Sequence, residues 1–147
     1  MMNKIKYIPL ILVLFFIAIW GGSIIKCEIT TVQHGKKFTD LYKDTNMISS
    51  VDYLKVLNYS DTSARIYYVS KGGMGNIITV IKQDGQWAYD KWETVWSTSG
   101  SADEFVFPYI HHSATGIALL AILGIPAILI TIVALCIGSK RNAKSAS

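Results

Sequence analysis

The residues able to do acid–base or metal chemistry are few, and their spacing limits what that chemistry can be. A carboxylate pair could be drawn from Asp84, Asp90, Glu93, Asp103 and Glu104. Asp84 is accounted for by the Asp84-Gly85 turn, and Asp103-Glu104 falls in a polar tail. That leaves Asp90 and Glu93, on a strand beside Lys91 and Trp92. A strand carboxylate ordinarily faces solvent; if buried in a cone-shaped pocket it would serve as a general base. The histidines are His34, His111 and His112. Adjacent His111 and His112 point in different directions and do not chelate as an i, i+4 pair does. No Cys/His cluster has zinc spacing, and neither G-x-S-x-G nor H-E-x-x-H occurs. No catalytic residue, metal ligand or cofactor is assigned. Gly72-Gly73-Met74-Gly75 lacks the Lys-Ser/Thr of a phosphate loop and leads into a strand, so it reads as a hairpin connection.

The elements that must position these groups fall into three parts. Apolar residues make up 51% of the 147-residue chain, but they concentrate in two blocks. Residues 8–25 carry no charge, and neither do residues 114–137, where Pro126 interrupts one backbone hydrogen bond. Each block is long enough to cross a bilayer core of about 30 Å as a helix. The first also admits a cleaved signal peptide, because Lys4 and Lys6 precede it and Gly21-Gly22-Ser23 offers small residues. The resumption of apolar character at Ile24-Ile25 and the lack of an A-x-A site favour an uncleaved span. A lipoprotein signal ending at Cys27 is disfavoured by Lys26.

Charge orients the spans. Lys4 and Lys6 precede the first, and Lys140, Arg141 and Lys144 follow the second, with no acid at either end. All ten acidic residues lie between Glu28 and Glu104. Basic residues flanking spans stay cytoplasmic. The expected organisation is a cytoplasmic N-terminus over 1–7, spans over 8–25 and 114–137, an extracytoplasmic domain over 26–113 and a basic cytoplasmic tail over 138–147. The net charge of +4 then reports topology and gives no footprint for nucleic acid. Cys27 and Cys136 would lie about a bilayer apart, too far for a disulfide within one chain. Between chains, Cys27 could pair in a dimer; a free thiol at the interface is the plainer expectation.

Between the spans the pattern predicts a short helix followed by a β-meander. Phe38, Leu41 and Tyr42 form an i, i+3, i+4 stripe over 34–45, with Gly35 before it and Asn46 as a cap. Strands are expected over 51–59, 64–70, 77–82 and 86–97, with Asp84-Gly85 as a type I′ turn. Trp87, Trp92 and Trp96 supply most of the packing area. Trp87 and Trp92 stand an odd number apart, so a regular strand would point them to opposite faces. Either a bulge intervenes, or each face has its own cover. Phe105, Phe107 and Tyr109 suggest that the segment before the second span folds back on the sheet; the alternative is a linker ending in an aromatic belt. The expected class is α+β: a short helix packed on a four-stranded antiparallel meander, flanked by two transmembrane helices.

The segment Val80-Ile81-Lys82-Gln83-Asp84-Gly85-Gln86-Trp87, after a short helix, resembles small cystatin-like and nuclear-transport-factor-like α+β domains. Residues 90–103, Asp-Lys-Trp-Glu-Thr-Val-Trp-Ser-Thr-Ser-Gly-Ser-Ala-Asp, resemble uncharacterised two-span membrane proteins of Gram-positive bacteria. Neither resemblance implies a catalytic residue. The reading is a binding or accessory module in the cell membrane, both termini cytoplasmic, with Phe38, Tyr42, Trp87, Trp92 and Trp96 as its core or binding surface. Its partners would be the lipid bilayer and a further membrane or extracytoplasmic protein, not nucleic acid. Two alternatives stay open: a small enzyme using Asp90 or Glu93, and a pore-forming, holin-like protein. An outer domain longer than both spans together speaks against the last. The charge-free spans offer no proton relay or ion path.

Overall fold

Each apolar block forms a single helix, which satisfies its own backbone hydrogen bonds as a bilayer-crossing segment would have to. The computed structural model describes residues 8–45, 48–97 and 106–144. Helix α1 runs from Ile8 to His34 and α2 from Ala114 to Lys144. Both are long and apolar enough to cross a membrane. Their large side chains, Phe15, Leu12, Ile122 and Leu129 among them, are exposed, a surface that water disfavours and hydrocarbon accepts. Hydroxyls within the helices are satisfied locally: Ser23 donates to Ile19 O and Thr131 to Ala127 O, each at 2.8 Å. Helix α2 continues through Pro126.

The 27 residues of α1 extend about 40 Å, well beyond the apolar stretch that ends at Ile25. The surplus reaches the sheet. Four strands, β1 (Val51–Tyr59), β2 (Ser63–Ser70), β3 (Gly75–Gln83) and β4 (Gln86–Trp96), pair antiparallel in the order β1-β2-β3-β4. The β3–β4 turn is type I′ as its sequence requires, with φ of 50° at Asp84 and 84° at Gly85. In the β2–β3 connection Gly73 has φ 81°. The Trp96 ring lies against it, 3.1 Å from where a Cβ would stand.

The stripe expected on one α-helix over 34–45 is delivered by two 3-10 turns, Gly35–Phe38 and Leu41–Thr45. The α-helix stops at His34, and Gly35 packs closely on the sheet: a Cβ there would be in ordinary contact with Leu54 Cδ1 and Thr31 Cγ2 at 3.4 Å. The suggested cap Asn46 lies outside the described residues.

The sheet is packed on both faces. One face carries Val56, Ile66, Tyr68, Ile78 and Val80, covered by Phe38 and Ile48 and flanked by Tyr42, Trp87 and Trp92. The other carries Tyr67, Ile77 and Val95, covered by Cys27 of α1 and by Val106 and Tyr109. The segment before α2 therefore folds back on the sheet. Val106 and Tyr109 make the contact, while Phe107 is half exposed; Phe105, Asp103 and Glu104 lie outside the described residues. A 3-10 turn, Ile110–His112, then leads into α2. Gly116 is pressed against that turn so closely that a Cβ would overlap the Ile110 carbonyl.

A bulge settles the tryptophan parity. Thr79 pairs with Lys91 and Val80 with Tyr89, so Asp90 is left unpaired. The extra residue returns Trp92, opposite Ile78, to the face that holds Trp87.

Candidate functional site

Edge strands present unpaired N–H and C=O groups that need covering. On the β1 edge the cover is α1. Thr31 Oγ1 accepts a hydrogen bond from Val56 N at 2.8 Å and donates to Cys27 O at 2.7 Å. The Cys27 thiol points at Leu57 O, 3.7 Å away, and Leu57 is itself the unpaired residue of a bulge between Val56 and Asn58. One helical turn thus stands in for a fifth strand. The Cys27 thiol is free, as expected, but it is buried in the second core at 5% exposure and unavailable as a surface thiol. Burial pushes its pKa up.

Beside this edge the structure assembles a polar cluster. Glu28 on α1 receives Lys55 Nζ at 2.7 Å on one carboxylate oxygen and the Tyr109 hydroxyl at 2.9 Å on the other. These residues come from a helix, a strand and the segment before α2, so one carboxylate joins three parts of the chain. The hydrogen bond from Lys55 outweighs burial and, helped by the Tyr109 bond, holds the Glu28 carboxyl below the usual range. Lys55 Nζ also lies 5.9 Å from the ring centres of Tyr53 and Tyr109, within cation–π range.

The histidine pair caps this cluster. His112 stacks on Tyr109 at 5.4 Å and on Tyr67 at 6.1 Å, and its Nδ1 lies 3.5 Å from Tyr53 Oη. Burial, then the neighbouring His111 and Lys55, lower its pKa. Burial drives Tyr67 up to about 12 and, with the Glu28 hydrogen bond, raises Tyr109 as well. At neutral pH the thiol and these phenols therefore hold their protons and His112 is neutral. The cluster is arranged as a clamp between sheet and helices, with no activated nucleophile in it.

The residues singled out from the sequence take other places. Phe38 is fully buried, and Tyr42, Trp87 and Trp92 pack around the same core. Phe38 and Trp87 meet edge to face at 5.3 Å, and the Phe38 carbonyl accepts the Tyr68 hydroxyl at 2.6 Å. Phe38 is core, whereas Tyr42, Trp87 and Trp92 pack around it and keep part of their surface exposed. Trp96 stands apart from them, over Gly73. Asp90 is exposed in the bulge. Glu93 lies on the opposite face, paired with Lys91 at 3.0 Å and Arg65 at 3.3 Å. Lys91 leads the interactions that hold its carboxyl below the usual range. The two carboxylates do not converge.

Sequence reasoning missed the Glu28, Lys55, Tyr109 and His112 cluster. Its one local signal was Glu28, the first acid after the apolar block, followed at a distance by an aromatic segment that the fold returns to it. No family model matches the chain, and neither does any curated protein or solved structure.

Proposed function

We propose that this chain is a two-span protein of the cell membrane, with both termini cytoplasmic and the sheet on the outer side, serving as a binding or accessory module. The observation that carries the reading is the course of α1, which leaves its apolar stretch without a break and becomes the cover of the β1 edge. A domain mounted this way cannot swivel on a linker. The return path is tied as well, because the Trp20 indole donates to Pro108 O at 2.6 Å. Rigid mounting suits a module that presents a set face to a second membrane or extracytoplasmic protein. The orientation is supported by the placement of Lys4, Lys6, Lys140, Arg141 and Lys144. Binding is favoured over catalysis by the separation of Asp90 from Glu93. Kinship with two-span proteins of Gram-positive bacteria belongs to the same proposal and is supported by residues 90–103.

Buried Cys27 is a poor topology probe, so a thiol is placed at the exposed β1–β2 turn as Asp61→Cys, with Cys136→Ser. A membrane-impermeant maleimide should label the full-length chain in intact cells, and the chain should resist carbonate extraction. Labelling only after lysis would put the domain in the cytoplasm. A product shorter by about two kilodaltons would mean a removed signal. The partner is sought with a photoreactive residue at Tyr89, which is 44% exposed on β4. A discrete adduct with one membrane or extracytoplasmic protein is expected, and the absence of any adduct there and at Asp61 would overturn the binding role.

A further inference from the structure

A groove of about 690 Å³ lies between α1 and α2, within the range of about 300–1,000 Å³ that small ligands occupy. Leu12, Phe16 and Trp20 line it from α1, and Leu123, Pro126 and Ala127 from α2. The polar side-chain atom of this lining is Trp20 Nε1, which already donates to Pro108 O. Among the described residues the lining therefore offers no free side-chain hydrogen bond to a sugar or a trapped water, and a water needs two or more polar partners. What fits is hydrocarbon.

Its depth narrows the choice. The lining runs from Leu12 to Trp20 on α1 and from Leu119 to Ile130 on α2, about 12 Å and about 17 Å at the rise of an α-helix. Half of a bilayer core is about 15 Å. The groove is one leaflet deep, and Phe107 and Ile110 of the fold-back segment close its domain end. A helix from a second copy would cross both leaflets and is about 10–12 Å thick. A short groove with a roof does not suit it. One acyl chain does. At the roof, exposed His111 stands edge-on to Trp20 at 6.2 Å, where the headgroup of such a lipid would lie.

We infer that the groove between the two helices holds one acyl chain of a phospholipid from the leaflet on the domain side; this rests on the membrane reading above. The roof belongs to the segment whose Tyr109 is bonded to Glu28, so the chain's occupancy bears directly on the joint between helices and sheet.

The test uses the full chain in vesicles of phosphatidylethanolamine and phosphatidylglycerol, extracted in mild detergent and weighed by native mass spectrometry. The wild type should carry one phospholipid per chain. Gly124→Trp should carry at least tenfold less; a Cβ at Gly124 meets nothing within 4 Å, and thermal unfolding in the same detergent checks that the variant folds. Ile125→Trp, exposed and outside the lining, should match the wild type. A wild type without lipid, or a Gly124→Trp chain that keeps it, overturns the inference. So does a dimer mass that Gly124→Trp abolishes, which would make a second copy the occupant. Independently of any filling variant, a photoreactive residue at Ala127 should cross-link to phospholipid in the vesicles, and its failure to do so counts against the acyl chain. A chain that resists carbonate yet binds no lipid sinks this inference alone, whereas a chain washed off by carbonate sinks the membrane reading itself.

Discussion

Replacing Thr31 by Val tests whether α1 is part of the sheet or merely lies beside it. The two side chains have nearly the same shape, so packing against Leu54 and Gly35 is kept while the hydroxyl is lost. In the wild type that hydroxyl accepts Val56 N–H at 2.8 Å, and Val56 is fully buried on an edge strand. Among the described residues no strand pairs with β1 on that side, so the variant leaves a buried donor unmet, at a cost of about 1–3 kcal/mol. Cys27 O loses only a second donor, because the helix still supplies its backbone partner. For a domain of this size the cost corresponds to a fall in Tm of about 4–24 °C. The Val56 amide should exchange with deuterium about 5- to 150-fold faster, the same energy read at about 1.4 kcal/mol per decade. Thr31→Ser keeps the hydroxyl and should restore slow exchange at Val56. Thermal unfolding of the full chain in detergent and exchange read by mass spectrometry supply both numbers. A Thr31→Val chain with unchanged Tm and unchanged exchange at Val56 would refute the edge-cover argument and, with it, the rigid mount on which the proposed function rests.

Three further outcomes follow from the charges. The Glu28 carboxyl is held below its ordinary 4.5 by Lys55 and Tyr109, so its contribution is full above that value and is lost as pH falls through the lower folded one. Its side chain is 42% exposed, which screens the pair to about 0.5–1 kcal/mol; Glu28→Gln should lower Tm at pH 7 and flatten its decline below pH 4.5. His112 titrates in the folded protein below its ordinary 6.5, because burial, His111 and Lys55 oppose the charge among the rings of Tyr53, Tyr67 and Tyr109. The stability it supports is therefore full above 6.5 and declines as pH drops through that value toward the folded one. Melting curves between pH 8 and 5 should show this slope, and His112→Phe should remove it. Asp90→Asn should leave the unfolding free energy within about 0.5 kcal/mol of the wild type, and Glu93→Gln should cost no more than about 1 kcal/mol. A cellular phenotype that follows either charge in a folded chain would restore the enzyme reading.

How far the fold could be read ahead depended on the range of the interaction. Hydrophobic runs of span length, the positive-φ demand of Asp84-Gly85 and the β-branched runs around it are local, and each produced the element it implied. The stripe at Phe38, Leu41 and Tyr42 does pack on the core, with Phe38 buried and Leu41 and Tyr42 partly so, but the backbone beneath it is not the expected α-helix. Two 3-10 turns stand where an α-helix was expected, and they seat Phe38 in the core against strands distant in sequence. The Trp87 and Trp92 parity showed that something irregular lay between them; that it was a bulge at Asp90 depended on the register against β3.

Two apolar helices, four strands in hairpin order and the separation of charge between the chain's ends and its middle are written in local pattern. These follow from composition and periodicity over windows of ten to twenty residues. The tertiary structure alone decided that α1 would continue into the edge of the sheet. It alone decided that Glu28 would meet Lys55 and Tyr109, and that the helices would leave a groove beneath Trp20. Each of these joins residues tens of positions apart. A hydrogen bond of 2.9 Å between Tyr109 and Glu28 depends on helix length, strand register and the fold-back together, and no local pattern in the chain encodes that sum.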